Sequence, residues 1–131
     1  MKILLDTQSW LWMLTAPERF SKKARALVTE PEHELFLSSA SAWEIAVKYA
    51  IGKLTLPSDP SEFVPNRLAQ TGVTALPIKI THALQVALLP SYHGDPFDRL
   101  LVAQAQVEDL PILTADPQLE AYNVKVLRAE E

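Results

Sequence analysis

The sequence predicts a single α/β domain, residues 1–131, in which a central parallel sheet of five strands lies between two layers of helices. Short, wholly apolar runs alternate with longer segments of helical periodicity along the chain. Such runs are typical of parallel strands covered on both faces, which right-handed crossovers then join. The 131 residues, 48% hydrophobic and 21% charged, suit one globular domain with a sizeable core. The pattern does not give the order of the strands.

In the first half of the chain, capping and stop signals separate the elements. Ser21 is a suitable N-cap for the second helix, and Gly52 is a natural C-terminal stop for the third. Pro65 predicts that the fourth helix is bent or begins late. The predicted strands span 2–6 and 34–38, and the predicted helices span 7–17, 21–30, 41–52 and 61–72. The apolar face of the third helix is expected to comprise Trp43, Ala46, Val47 and Ala50.

The second half continues the alternation. Thr81 is the expected cap of a short helix, and Pro117 is expected to start a turn of helix. The predicted strands span 73–78, 110–116 and 124–127, and the predicted helices span 81–90 and 91–106.

The helical segment 91–106, SYHGDPFDRLLVAQAQ, is apolar almost all the way round. Asp98 nevertheless lies on the same side of the helix as Leu101, Val102 and Ala105. A charge at the start of a stripe that faces the core is costly unless it has a partner.

Composition excludes several kinds of site. The chain has no cysteine, which excludes disulfides, zinc–thiolate sites and thiol catalysis. It has no glycine-rich phosphate loop and no G-x-S-x-G elbow. His33, His82 and His93 are too scattered for a zinc pair on one helix face.

A cytoplasmic protein without membrane association is expected. No segment approaches the ~20 apolar residues of a membrane span, and Asp6 and Gln8 interrupt the N-terminal apolar run that a secretion signal would need. The net charge of −4 argues against a simple nucleic-acid binder. A site that holds cations is itself acidic, however, and lowers the total charge.

Five acidic residues are expected to meet at one edge of the sheet. In a parallel sheet, the C-terminal ends of the strands and the helix N-termini that follow them lie along one edge, where ligand sites form. Crowded carboxylates raise one another's pKa unless a cation neutralises them, and Mg²⁺ or Mn²⁺ suits such oxygen ligands. These residues are Asp6, Glu44, Asp95, Asp98 and Asp116.

A carboxylate-held divalent ion serves phosphoryl chemistry above all. Lys48, Lys53 and Arg99 lie near the acids in the sequence and could bind the phosphates of a substrate. They could equally be solvated surface charges.

Each acid also has a local structural explanation. The dipole of a helix favours acids in its first turn. Asp98 lacks a capping role, because Asp95 already caps its helix. Capping interactions account for Asp6 or Thr7, for Ser41 with Glu44, for Asp95 before Pro96, and for Asp116 before Pro117; Glu44 and Lys48 also form a favourable i, i+4 pair.

Other side chains have two readings. His93 could touch a substrate, but a surface or capping histidine is the expected one. Trp10, Trp12 and Trp43 could stack on bases, but packing in the core or in an interface is expected.

Four blocks of the sequence resemble the PIN-domain ribonucleases, and most closely the VapC-type toxins of bacterial type II toxin–antitoxin pairs. They run in order from LLDT at 4–7, through SASAWEIAVK at 39–48 with GKL at 52–54, to HGDPFDRLLVAQA at 93–105 and LTAD at 113–116. The resemblance therefore covers essentially the whole chain, and the third block is its most specific part.

The resemblance implies a PIN fold and Mg²⁺- or Mn²⁺-dependent endonucleolytic cleavage of RNA. A metal-activated water would leave a 5′-phosphate and a 3′-hydroxyl. The family's acids correspond to Asp6 and Asp98 as main metal ligands, with Asp116 and Glu44 completing the site directly or through water. Supporting roles fall to Thr7, Asp95 and Thr114.

The resemblance also implies partners. The family is inhibited by a cognate, VapB-like antitoxin whose tail lies across the acidic edge. A toxin homodimer or a toxin–antitoxin hetero-oligomer is therefore expected.

Two other functions share the architecture. A receiver-type signalling domain needs adjacent acids after the first strand, where this chain has Asp6-Thr7, and an aspartate closing the third strand, where VTALPI has none. A non-catalytic PIN module would only bind RNA or protein, and the complete set of acids argues against it.

Overall fold

In the computed structural model, which describes residues 1–130, the strands form one parallel sheet between two layers of helices, as predicted. The strands are β1 (Lys2–Leu5), β2 (Glu34–Ser38), β3 (Thr74–Leu76), β4 (Ile112–Thr114) and β5 (Val126–Arg128). The helices are α1 (Thr7–Thr15), α2 (Lys22–Thr29), α3 (Ser39–Ala50), α4 (Pro60–Thr71), α5 (Ile80–Gln85) and α6 (Pro96–Glu108). Short 3₁₀ turns span Pro17–Arg19, Val86–Leu88 and Pro117–Ala121.

The strand order is β3-β2-β1-β4-β5, with every pairing parallel. Leu5 of β1 is level with Leu37 of β2 on one side and Leu113 of β4 on the other. The chain winds outward from β1 to β3 in one direction and then crosses back to β4, so the winding reverses between β1 and β4. Receiver domains have the order β2-β1-β3-β4-β5 instead, which excludes that alternative.

The core lies on both faces of the sheet. Side chains of β1 alternate between the faces, and Ile3, Leu4 and Leu5 are all fully buried. Ile3 and Leu5 pack with Trp10 of α1, while Leu4 packs with Leu101 of α6 on the opposite face. The doubly buried strand that the apolar run predicted is confirmed. In the described part of the chain, no helix is both long and apolar enough to cross a membrane.

Helix α3 begins earlier than predicted. Its N-cap is Ser38, whose Oγ accepts a hydrogen bond from the backbone N–H of Ala40 at 2.9 Å. The predicted capping box of Ser41 and Glu44 is therefore wrong, because Ser41 already lies inside the helix.

The predicted apolar face of α3 is also wrong. Trp43 is 55% exposed, and Ala46 and Ala50 are exposed, whereas Glu44 and Ile45 are buried. The helix turns Glu44 toward a polar cavity and Ile45 toward the core, and it leaves Trp43, Ala46 and Ala50 at the surface. Core packing is confirmed for Trp10 and Trp12, whereas the exposed Trp43 is not in the core and its packing in an interface stays a prediction.

Three smaller expectations need correction. Helix α4 begins at Pro60 with Asp59 as its N-cap, so Pro65 lies inside the helix and does not delay its start. The N-cap of α5 is Lys79, not Thr81. Residues 91–95 form a loop, because the Asp95 side chain caps α6 at Pro96.

Ser38 should contribute strongly to stability. Its Oγ caps α3 and also donates to Oε1 of the fully buried Gln104 on α6. Ser38→Ala would leave both buried partners unsatisfied, so we expect a loss of about 1–3 kcal/mol in the free energy of unfolding, measured by urea denaturation. Ser61→Ala is the matched control, because the exposed Ser61 Oγ donates only to Asp59, and its effect should stay within about 0.5 kcal/mol. Equal losses in the two variants would contradict a special role for Ser38.

Candidate functional site

The predicted acids share one cavity at the C-terminal edge of the sheet. Its volume is about 340 Å³, and it opens beside the point where the winding reverses between β1 and β4. Residues after both strands contribute to it, together with the N-terminal turns of α1 and α6 and the inner face of α3. Its polar lining comprises Asp6, Thr7, Gln8, Glu44, Lys48, Lys53, Asp95, Asp98 and Asp116.

Asp6 follows β1 and has two roles. Its Oδ1 accepts a hydrogen bond from the Ser9 backbone N–H at 2.8 Å and so caps α1. Its Oδ2 accepts a hydrogen bond from the Thr114 hydroxyl at 2.6 Å. Burial raises the pKa of Asp6, although the hydrogen bonds from Thr114 and Ser9 oppose the shift. The local capping explanation is therefore correct for Oδ1 of Asp6. Its Oδ2 is instead hydrogen-bonded to Thr114 at the end of β4.

Thr114, the last residue of β4, connects two of the acids. Its hydroxyl donates to Asp6 and accepts a hydrogen bond from the backbone N–H of Asp116 at 3.0 Å. The side chain is 2% exposed. It thereby fixes Asp116 relative to Asp6 across the β1–β4 crevice.

Glu44 is buried, and both of its carboxylate oxygens are engaged. Oε1 accepts a hydrogen bond from the Thr7 hydroxyl at 2.6 Å, and Oε2 lies 2.5 Å from Lys48 Nζ. The hydrogen bond to Glu44 raises the pKa of the Lys48 ammonium. The Lys48 ammonium therefore already neutralises Glu44, which makes Glu44 less available for direct coordination than an acid without a paired lysine.

Asp95 and Asp98 have different roles at the N-terminus of α6: Asp95 caps the helix, and Asp98 faces the cavity. Asp95 Oδ1 accepts from the backbone N–H of Phe97 at 2.8 Å and from that of Asp98 at 3.3 Å. Because Asp95 meets the capping need, the Asp98 carboxylate is left to face the cavity. Burial, followed by the negative charges of Asp95, Glu44 and Asp6, raises the pKa of Asp98 to about 7, and His93 opposes the shift.

Asp116 caps the 3₁₀ turn after β4, as predicted. Its Oδ1 accepts from the backbone N–H of Gln118 at 2.9 Å. Its Oδ2 lies 3.1 Å from His93 Nε2.

His93 is the candidate site residue that the sequence pattern undervalued. Its ring is 14% exposed, so the surface alternative is wrong, whereas its Nδ1 accepts a hydrogen bond from the backbone N–H of the N-cap residue Asp95 at 3.2 Å, as the capping alternative expects. Its Nε2 lies 3.1 Å from both Asp98 Oδ2 and Asp116 Oδ2, and the three residues offer ligand atoms within 4.8 Å of one another. The available signal was its position two residues before the helix cap Asp95 in the HGDPFD block.

Only two of the three basic side chains that were predicted to bind substrate phosphate line the cavity. Lys48 and Lys53 line the cavity. Arg99 does not, because its guanidinium donates to the backbone carbonyl of Pro90 at 2.8 Å and contacts the Tyr122 hydroxyl at 3.3 Å. Arg99 therefore lies outside the cavity lining, and its contact with substrate phosphate stays a prediction.

An aromatic pair, in which Trp43 is exposed and Phe97 is half-buried, adjoins two of the acids in the sequence. Trp43 precedes Glu44 and Phe97 precedes Asp98, and their ring centroids lie 4.7 Å apart in an edge-to-face arrangement.

The donor set fits a hard divalent cation. Five carboxylates and two ammonium groups line the cavity, so negative charge is in excess. Burial first, and then the charges of Asp95, Glu44 and Asp6, raise the pKa of Asp98, so its ionised form is unfavourable beside the other carboxylates. Oxygen ligands under such repulsion suit Mg²⁺ or Mn²⁺.

Comparison with known proteins agrees with this architecture. A model of the PIN domain matches residues 3–125. Ribonuclease VapC16 from Mycobacterium tuberculosis (strain ATCC 25618 / H37Rv) is 39% identical over 61 residues, which are 47% of this chain. The aligned part spans only 42% of that relative's length.

Several solved structures have the same fold. VapBC2 from Rickettsia felis, bound to a DNA fragment from its promoter, superimposes with a TM-score of 0.73 at 12% identity, covering 98% of each chain. DNA-bound VapBC from Salmonella typhimurium gives 0.69 at 15% identity, also over 98% of each chain. FitAcB from Neisseria gonorrhoeae gives 0.63 at 23% identity, covering 95% of this chain and 96% of that one. At these identities the likeness concerns the fold.

Proposed function

Since this chain belongs to the PIN-domain family, we propose that it is a divalent-metal-dependent endoribonuclease of the VapC toxin type. The observation that carries the proposal is the convergence of Asp6, Asp98 and Asp116 from three separate elements on one cavity. Such crowding is costly without a cation, and Mg²⁺ or Mn²⁺ is the ion that the oxygen ligands favour. The local likeness to Ribonuclease VapC16 supports RNA as the substrate.

The acids take different parts in this proposal. Asp6, Asp98 and Asp116 hold the ion. Glu44 acts indirectly, because the ammonium group of Lys48 already neutralises its charge and the Thr7 hydroxyl holds its other oxygen. When bound, the ion supplies Lewis-acid stabilisation of the phosphate and activation of a water for in-line attack.

The remaining residues position these groups or bind the substrate. Thr114 holds Asp6 and Asp116 together, and Asp95 fixes the first turn of α6. Lys48 and Lys53 attract the phosphate backbone, since phosphate contacts are made mainly by basic side chains. Products would carry a 5′-phosphate and a 3′-hydroxyl.

The proposal extends to partners. The solved relatives are described as VapBC and FitAcB assemblies, and we propose that this chain likewise pairs with an antitoxin. An acidic cavity favours a partner that places a basic side chain among the carboxylates. A toxin dimer within that hetero-oligomer and action in the cytoplasm, where the RNA is, complete the proposal.

Product ends give the sharpest test of the reaction. The chain, purified free of antitoxin, is incubated with structured RNA and Mg²⁺ or Mn²⁺, and the fragments are analysed for their termini. We expect cleavage that leaves 5′-phosphates and continues when a 2′-deoxynucleotide replaces the residue at the cut site, because the attacking group is water. Fragments with 2′,3′-cyclic phosphates would contradict the proposal, since those arise from attack by the RNA's own 2′-hydroxyl. A chain that binds RNA without cutting it would instead be a non-catalytic module.

A further inference from the structure

His93 joins two acids that come from different parts of the chain. Asp98 belongs to the first turn of α6, and Asp116 follows β4. The imidazole Nε2 lies 3.1 Å from one carboxylate oxygen of each. With 14% of its ring exposed, His93 is held largely inside the protein at this junction.

The other ring nitrogen fixes the tautomer. Nδ1 lies 3.2 Å from the backbone nitrogen of Asp95, which can only donate. Nδ1 must therefore be an acceptor without a proton, and the ring carries its hydrogen on Nε2. Nε2–H then donates its hydrogen bond to Asp116 Oδ2, and Asp98 Oδ2 lies beside the same N–H at the same 3.1 Å distance.

We propose that His93 is a positioning residue that holds the carboxylates of Asp98 and Asp116 next to each other for a divalent ion. The inference rests on the proposed function, because it assumes that these acids receive the ion. Two facing carboxylates repel each other, and the partial positive charge of an N–H that lies 3.1 Å from an oxygen of each offsets that repulsion. Asp116 keeps further lone pairs for a metal after accepting the hydrogen bond, and so does Asp98, which only lies beside the donor.

The same geometry argues against His93 as a direct ligand. A histidine that coordinates a metal does so through an unprotonated nitrogen and usually donates its other ring N–H to an acceptor. Here the far nitrogen faces the Asp95 N–H, a donor. Nε2 therefore keeps its hydrogen and orients the carboxylates of Asp98 and Asp116. The oxygens of those carboxylates would contact the ion.

The experiment measures Mn²⁺ binding to the full chain by calorimetry and by electron paramagnetic resonance. Loss of a residue that orients metal ligands typically weakens affinity about 10–100-fold, so we expect a loss of that size for His93→Ala. His93→Gln should recover part of it, because its amide N–H can still donate. Pulsed resonance of Mn²⁺ on the wild-type chain should show no coupling to a directly bonded imidazole nitrogen.

Tyr92→Ala is the matched control. It removes a side chain from the same loop, where Tyr92 packs on Tyr122 with ring centroids 5.3 Å apart, and it should leave Mn²⁺ affinity unchanged. Thermal denaturation of each variant separates lost binding from lost folding.

Other outcomes overturn the inference in distinct ways. If folded His93→Ala binds Mn²⁺ as tightly as the wild type, or more tightly, His93 does not position the site. A strong nitrogen coupling that disappears in His93→Ala would make it a direct ligand. Absence of Mn²⁺ binding in the wild-type chain would remove the proposed function itself, whereas intact wild-type binding with an insensitive His93 would remove only this inference.

Discussion

Replacing Asp98 with asparagine is expected to abolish RNA cleavage and, at the same time, to stabilise the metal-free protein at pH 8. Cleavage should fall by at least about a thousand-fold, because a carboxylate that holds the catalytic ion contributes several kcal/mol to the transition state. The free energy of unfolding should rise because the ionised form of Asp98 destabilises the folded state. The raised pKa of Asp98, about 7 instead of 3.8, reflects this destabilisation.

The sign follows from where the proton is bound. Well below the ordinary pKa of 3.8, Asp98 is protonated in both the folded and the unfolded states. As the pH rises to about 7, the unfolded chain loses this proton first, so the wild type loses stability that Asp98→Asn keeps. After allowance for solvent screening, we expect a difference on the order of 1–3 kcal/mol at pH 8, and little difference at pH 4. Thermal denaturation in EDTA at the two pH values measures it.

Asp59→Asn is a control of opposite sign. Asp59 is an exposed N-cap, and hydrogen bonds from Ser61 lower the pKa of its carboxyl. Its charge therefore stabilises the folded chain above pH 4, and Asp59→Asn should not gain stability at pH 8. An Asp98→Asn protein that cleaved RNA at the wild-type rate, or that was less stable than the wild type at pH 8, would contradict this account of Asp98.

Divalent ions should have the second large effect. Mn²⁺ or Mg²⁺ relieves the repulsion among the cavity acids, so it should raise the thermal stability of the wild type by about 2.7 kcal/mol at a hundred times its dissociation constant. Removal of the ion by EDTA should stop cleavage, and re-addition should restore it. Differential scanning calorimetry and the cleavage assay give the two readouts.

Ionic strength needs its own control. KCl at matched ionic strength screens charges without occupying the cavity, so it should give a much smaller stabilisation. Asp98→Asn should lose most of the response to the divalent ion. Equal responses to KCl and to Mn²⁺ in the wild type would show that general screening, not a bound ion, is at work.

The fold and the meeting of the acids could be predicted because both follow from general rules. Wholly apolar runs such as ILL in β1 are buried on both faces only in a covered parallel sheet. Once the sheet is parallel, Asp6 after β1 and Asp116 after β4 lie on the same edge. These two residues are neighbours because β1 and β4 are adjacent in the sheet. That strand order cannot be derived from any local sequence pattern.

The orientation of α3 could not be predicted, because periodicity counts only apolar residues. The inward face carries Glu44, which a hydrophobic pattern assigns to solvent, and the polar cavity turns Trp43 outward. The start of the helix was ambiguous for a related reason. Several serines lie near its N-terminus, and the choice of Ser38 depends on its contact with the distant Gln104.

Arg99 and His93 show that closeness to an acid in the sequence does not determine whether a side chain reaches the cavity. Arg99 follows Asp98 in the chain, but successive residues on a helix point about 100° apart, so its guanidinium reaches the carbonyls before the loop instead of the cavity. His93 lies outside the helix, where no periodicity applies. Its contacts depend on how the loop returns to Asp116, which only the folded chain shows.

A crystal of the full chain soaked in MnCl₂ tests the central claim most directly. Diffraction data are collected at an X-ray wavelength at which manganese scatters anomalously. The anomalous difference map should show a peak in the cavity, about 2.0–2.3 Å from carboxylate oxygens of Asp6, Asp98 or Asp116. The same soak of Asp98→Asn should show a weaker peak or none. A cavity without a peak, at a Mn²⁺ concentration that supports RNA cleavage, would contradict the claim that these acids hold the catalytic ion.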